Sequence, residues 1–327
     1  MKIRDVGEWK LIETIFEEIR RYEFMPLPYG DDASALHVRE QKIVVINSDM
    51  LVASTDVPPG MTFRQVGRKA TVMCISDLAA KGAKPLALLF ALGLKAEMKL
   101  DDFKELIRGL DEGAKEYGAY IIGGDVNEAC DLIISGTAIG VADHVISRGG
   151  AKEGDIVAVT GKFGNTAAGL KILLEGIDAP SPLKEKILKA VYTPKAQVKE
   201  GIALAQSTAV TASIDSSDGL AISLHEIASR SKVGFEIKTL PISEEAAEFA
   251  RIHNIDPFEL VFYGGEEYHL VVTIKKELFS RARKVVESVG GQLIPIGEVV
   301  KGDKVIFKKD DIERVIEKRG WEHFARK

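Results

Sequence analysis

Short apolar runs rich in β-branched residues alternate along this chain with longer stretches of helical spacing, and no fold built from one element type accommodates both. IVVIN (43–47) reads as a strand closed by the polar pair Ser48-Asp49, and LALLFAL (86–92), AYIIGGD (119–125), LIISGTAIG (132–140), DIVAVT (155–160) and YHLVVTI (268–274) read as further strands. Between them, Ile12, Ile15, Phe16 and Ile19 give a helix over 9–22 that ends before Pro26-Leu27-Pro28. Ala70, Met73, Cys74 and Asp77 fall on one face of a helix over 64–80, and Phe103, Leu106, Ile107, Leu110 and Ala114 on one face over 101–117. Leu220, Leu224, Ile227 and Ala228 mark a helix beginning just after Ser217-Asp218. The class is α+β or α/β.

At 327 residues the chain favours two domains. The turn-rich stretch HVISRGGAKEGD, followed by a fresh series of elements, puts the boundary near residue 145, giving domains 1–145 and 146–327. A formal charge of -5 offers no electrostatic footprint for nucleic acid, and no apolar run is long enough to span a bilayer. Cys74 and Cys130 share no close spacing, so neither a disulfide framework nor a CxxC metal site is expected. A soluble, cytoplasmic protein is expected.

A set of aspartates at the ends of these elements is the main chemical signal: Asp31 and Asp32 in YGDDAS, Asp49 in NSDM, Asp77 in ISDLAAKGA, Asp125 in GGDV, and Asp215 and Asp218 in IDSSDGL. Hard divalent cations take oxygen ligands, and magnesium joins a few carboxylates to substrate phosphates. Each aspartate also has a plain alternative. Asp32, Asp49 and Asp125 border turns, where aspartate bonds nearby amides, and Asp218 suits a helix N-terminus. Asp77 stands apart, because helical spacing turns it inward and an unpaired buried carboxylate is costly. The Gly-rich TGKFGNTAAG (160–169) fits either a phosphate cradle or a tight strand-to-helix turn, and matches neither GxxxxGK[ST] nor GxGxxG. No HExxH or GxSxG occurs, which argues against a zinc hydrolase or a nucleophile-elbow enzyme.

Taken in order, WKLI (9–12), GDDAS, NSDMLV, ISDLAAKGAKP, IIGGD, SRGGAKEGD, TGKFGNTAAGL, IDSSDGL, YGGEEYHL and RGWEHF resemble the thiamine-monophosphate kinases, from about residue 7 to residue 324. The resemblance implies an α+β, two-domain fold of the aminoimidazole ribonucleotide synthetase-like superfamily. In it an N-terminal metal, ATP and dimerisation domain pairs across a homodimer, and a C-terminal domain covers nucleotide and substrate. It implies several Mg2+ ions held by Asp32, Asn47, Ser48, Asp49, Asp77, Asp125, Asp215 and Asp218, with Asn47 standing where the family often has serine or threonine. ATP contacts fall on Gly124, Asp125, Arg148 and Ser217, and substrate contacts on Glu266, Trp321 and Asp56. Asp56 departs from the pattern, since the family often has histidine there.

The implied reaction moves the γ-phosphoryl of ATP directly onto thiamine monophosphate, giving thiamine diphosphate and ADP with no covalent enzyme intermediate and no dedicated side-chain catalyst. The acceptor already carries negative charge, so positioning and charge neutralisation suffice. Rivals within the superfamily need cysteines this chain does not place: a hydrogenase-maturation dehydratase at its C-terminus, which here reads FARK, and a selenophosphate synthetase near its N-terminus. An aminoimidazole ribonucleotide synthetase is opposed by YGGEEY and GWEHF. An inert nucleotide-binding dimer would be expected to have lost several of the aspartates.

Overall fold

The computed structural model describes residues 26–27, 31–37 and 42–324, so the helix expected over 9–22 lies outside the described residues. The first half contains β1 (Ser34–His37), β2 (Ile43–Val52), α1 (Ala53–Asp56), α2 (Phe63–Ala80), β3 (Lys84–Leu94), α3 (Leu100–Glu116), β4 (Tyr120–Glu128) and β5 (Ile133–Ala142). They form a five-stranded sheet in the order β1-β2-β5-β3-β4, with α2 and α3 packed together.

The second half begins with β6 (Ile156–Val159), α4 (Asn165–Glu175), α5 (Ser181–Tyr192), α6 (Val198–Ser207), β7 (Val210–Asp215), α7 (Leu220–Ser231) and β8 (Gly234–Ile237). It continues through α8 (Glu244–His253), α9 (Pro257–Phe262), β9 (Leu270–Ile274), α10 (Phe279–Ser288), β10 (Ile294–Val300), β11 (Val305–Lys309) and β12 (Ile312–Val315). Its seven-stranded sheet runs β12-β11-β8-β10-β6-β9-β7. The fold is α+β, since antiparallel pairing dominates among the described strands, with β3–β4 and β11–β8 as the parallel pairs.

One expectation is corrected. Ser48-Asp49 does not close a strand, because β2 runs on to Val52, paired with β5 from Ile43↔Ala142 to Val52↔Ile133. The continuous ladder supplies the backbone bonds that polar side chains would otherwise draw away. Pleating then puts Asn47 and Asp49 on the face of the buried Val45 and Leu51, and Ser48 on the other.

Helix α2 is the spine. It starts with a capping box in which Thr62 and Gln65 satisfy each other's amides, the Gln65 amide donating to Thr62 Oγ1 at 3.3 Å and the Thr62 amide to Gln65 Oε1 at 2.9 Å. A Cβ on Gly109 of α3 would stand 2.0 Å from the Arg64 carbonyl oxygen, so glycine is what lets these helices touch backbone to backbone. On its other side α2 packs against α6, where a Cβ on Gly201 would fall 2.0 Å from the Ala79 oxygen. Val72, Ile75 and Ala79 of α2 therefore share one apolar cluster with Val198 and Leu204 of α6 and Leu270 and Val272 of β9. The sheets are separate but the core is continuous across the halves. Among the described residues no helix is long and apolar enough to cross a membrane.

Candidate active site

The inward face of α2 meets the end of β7 and the loop before β1, and three carboxylates converge there. One oxygen from each of Asp32, Asp77 and Asp215 lies within 4.8 Å of the others. Asp215 is the last residue of β7 and is fixed by Ser76, whose hydroxyl donates to its Oδ2 at 2.6 Å. Asp77 accepts from Asn47 Nδ2 of β2 at 2.8 Å. Burial, then the charges of Asp32 and Asp56, pushes Asp49 up to about 6. Burial and the charge of Asp32 push Asp215 up to about 7, and burial with the charges of Asp49, Asp215 and Asp32 holds Asp77 well above the carboxylate range.

Two internal cations border the cluster. Lys81, fully buried at the end of α2, donates to Asp31 Oδ1 at 2.6 Å and the Ser213 oxygen at 2.9 Å, and lies 2.5 Å from Asp32 Oδ2. Arg148 donates to Asp32 Oδ1 from Nε at 2.6 Å, and its amide donates to Asp31 Oδ2 at 3.0 Å. Burial opposes ionisation of Asp31, yet Lys81 and Arg148 hold it below the usual carboxylate value. Among the described residues the buried Asn47 Oδ1 and Ser216 Oγ have no hydrogen-bond partner. Crowded carboxylates, a free amide oxygen and a free hydroxyl make an all-oxygen donor set, which fits magnesium.

Residues 30–142 match the AIR synthase related protein, N-terminal domain, and residues 152–310 the AIR synthase related protein, C-terminal domain. Thiamine-monophosphate kinase of Pyrococcus horikoshii is 37% identical over 97% of this chain and 96% of its own length. That of Pyrococcus abyssi is 35% identical over 97% and 96%. The chain belongs to the thiamine-monophosphate kinase family. The structure of AaThiL complexed with AMPPCP and TMP superposes with a TM-score of 0.86 at 26% identity, covering 99% of both chains.

Against this family pattern, the remaining expected residues fall into two groups. One is knit to the cluster by backbone bonds: the Glu266 amide donates to the Ser217 oxygen at 2.6 Å, the Tyr268 amide to the Ser216 oxygen at 2.9 Å, and the Trp321 amide to the Asp218 oxygen at 3.0 Å. Glu266 and Trp321 thus hang from the turn 216–218 that follows Asp215. The other group is not drawn in. Ser48 is exposed on the far face of β2, where its hydroxyl donates to the Gly136 oxygen at 3.0 Å. Gly124 and Asp125 lie on the exposed edge strand β4, outside the converging carboxylates, and a Cβ on Gly124 would stand 1.9 Å from the Phe90 oxygen. Asp56 spends its carboxylate locally, accepting from the Val52 amide at 2.7 Å.

Sequence reasoning missed Lys69, Ser76, Lys81 and Glu267. For Lys81 a signal was available, since it follows the apolar run Leu78-Ala79-Ala80, whereas Lys69 stands beside Arg68 and reads as a solvated residue. Glu267 settles the two readings of the Gly-rich stretch: its Oε1 accepts from the amides of Gly164 at 2.7 Å and Thr166 at 3.2 Å, so an internal carboxylate occupies the amides at the start of α4. Burial pushes Glu267 up to about 7, with the amides opposing.

Proposed function

We propose that this chain transfers the γ-phosphoryl of ATP to the terminal phosphate oxygen of thiamine monophosphate by direct in-line attack, at the seam where Asp32, Asp77 and Asp215 converge. The convergence of three carboxylates from different elements is the observation that carries the reading. It joins the family's activity, and the TMP and AMPPCP of the AaThiL complex, to a site in this chain able to meet both phosphate chains.

Asp32, Asp49, Asp77 and Asp215, with Asn47, would hold Mg2+, while Asp218, Asp125 and Ser48 are further proposed ligands. Magnesium held there would supply charge neutralisation, offsetting the repulsion between two phosphate anions. The residues present do the rest. Asn47 and Ser76 orient Asp77 and Asp215 before any ligand arrives. Arg148 holds Asp32 and is positioned to exchange that partner for an ATP phosphate, with Ser217, Gly124 and Asp125 as further ATP contacts. Glu266 and Trp321 offer a carboxylate and an aromatic face to the cationic acceptor, and Asp56, whose carbonyl oxygen shares Lys69 with Glu266, is a further proposed contact. No side chain takes a covalent phosphoryl group.

Residues 1–145 are assigned the metal, ATP and dimer contacts and 146–327 the cover over nucleotide and substrate, in a cytoplasmic homodimer. The dimer reading is supported by β4, an edge strand that exposes Tyr120 at 74%, Ile122 at 63% and Val126 at 60%. Sedimentation giving a single-chain mass at micromolar concentration would overturn it. The activity is tested by incubating the protein with Mg2+ and ATP, with and without thiamine monophosphate. Thiamine diphosphate forming in step with ADP is expected; ATP consumption that ignores the acceptor would refute it.

A further inference from the structure

Lys69 is the largest buried feature of α2 that the reaction as described leaves unused. Its side chain is 1% exposed, although lysine is rarely buried without a specific partner. Its ammonium donates to the Asp56 carbonyl oxygen at 2.6 Å and forms an ion pair with Glu266 Oε1. One cation of the first half therefore holds two segments on the acceptor side, the turn at Asp56 and the YGGEEYH segment of the second half.

Glu266 needs holding. Its backbone is left-handed, at φ 65°, in a non-glycine residue, and Tyr268 two positions on is also left-handed at φ 52°. Such residues are strained and persist where their surroundings fix them. The Glu266 amide bond to Ser217 fixes the backbone. Lys69 fixes the carboxylate through Oε1. On the same helix Asp77 lies roughly 12 Å further along the axis. Helix α2 thus presents a metal-binding carboxylate at the phosphate end of the seam and a lysine at the other.

We propose that Lys69 is a positioning residue for the acceptor: it locks Glu266 and the Asp56 turn into one geometry, so that recognition of the cationic, phosphate-bearing acceptor is set by a helix of the opposite half. The proposal rests on the kinase reading above. A simple charge argument predicts the opposite sign, since removing Lys69 would free Glu266 to attract a cation more strongly. The two views are separable by experiment.

The test compares Lys69→Met, Lys69→Arg, Glu266→Gln and the Lys69→Met/Glu266→Gln double variant in steady-state assays, varying ATP and thiamine monophosphate separately. If Lys69 acts by positioning, Lys69→Met raises KM for thiamine monophosphate roughly ten- to a hundredfold and leaves KM for ATP within about twofold. Lys69→Arg, which keeps the charge and donors, recovers part of the loss. The double variant is no worse than Glu266→Gln alone, because the lysine acts through that carboxylate. A lower KM for the acceptor, equal changes in both KM values, or additive losses in the double variant would overturn the proposal. If Lys69→Met does not fold, Lys69→Arg and Glu266→Gln decide: an unchanged acceptor KM in both refutes it. Wild-type protein that makes no thiamine diphosphate would instead bring down the kinase reading, and this proposal with it.

Discussion

Two buried carboxylate sites in this molecule are built in opposite ways. Glu267 stands alone and faces amide donors from Gly164 and Thr166. Asp32, Asp77 and Asp215 face one another, with Asp49 near enough for its charge to raise Asp77 further. Burial raises the pKa in both places, but at Glu267 the neighbours oppose the shift and at Asp77 and Asp49 other carboxylates add to it. A carboxylate surrounded by donors is finished as structure, whereas carboxylates surrounded by carboxylates are completed by a ligand.

The comparison breaks most directly at Asp77. Asp77→Asn should cut thiamine diphosphate formation by about a hundred- to a thousandfold or more, while metal-free unfolding temperature stays level or rises, because one repelling charge is gone. Unchanged turnover would remove Asp77 from the metal site, and a large fall in stability would make it structural like Glu267.

A smaller effect separates the sites by pH. Asp49 and Asp215 have folded-state values raised to about 6 and about 7 from 3.8, so between those limits the folded protein binds more protons than the unfolded chain. Their stabilising contribution is complete below about pH 4 and is lost as pH rises through 6 and 7. Metal-free protein followed by urea unfolding should therefore lose stability over that window. Saturating Mg2+ with an ATP analogue should remove the aspartate part of that slope, leaving Glu267, raised to about 7 from 4.5, and its neighbour His269, lowered to about 4 from 6.5, to pull in opposite directions. The smallest effect is the last: in that loaded state Glu267→Gln should leave the His269 contribution, a stability that rises from about pH 4 to 6.5. A metal-free profile flat from pH 4 to pH 7 would contradict the picture of mutually repelling aspartates.

Much of the site was legible in the sequence because its members lie at recognisable breaks in periodicity. Asp77 interrupts an apolar helical stripe, Asp215 and Asp218 bracket the Ser-Ser pair ahead of a helix, and Glu266 follows a Gly-Gly pair. Ser48 and Asp49 were misplaced because a polar pair after an apolar run resembles a strand end, and only the partner strand shows that pairing continues. Lys69 and Lys81 were passed over since a lysine in a helix is ordinarily a solvated residue, and one-dimensional spacing does not say that β7 and the 264–268 segment cover it.

The sequence by itself determined the mixture of helices and strands and the inward turn of Asp77, because periodicity and local turn chemistry are encoded within a few residues, while the resemblance of its ordered motifs supplied the α+β class and the family. Tertiary structure decided which aspartates share one space, which cations neutralise them, and that α2 serves both halves. Those facts depend on the close packing of α2 against α3 and α6, and on long-range pairing that brings residues 32, 77, 148 and 215 together from loop, helix and strand. Charges along a chain say little about repulsion until folding sets their distances and removes the water between them.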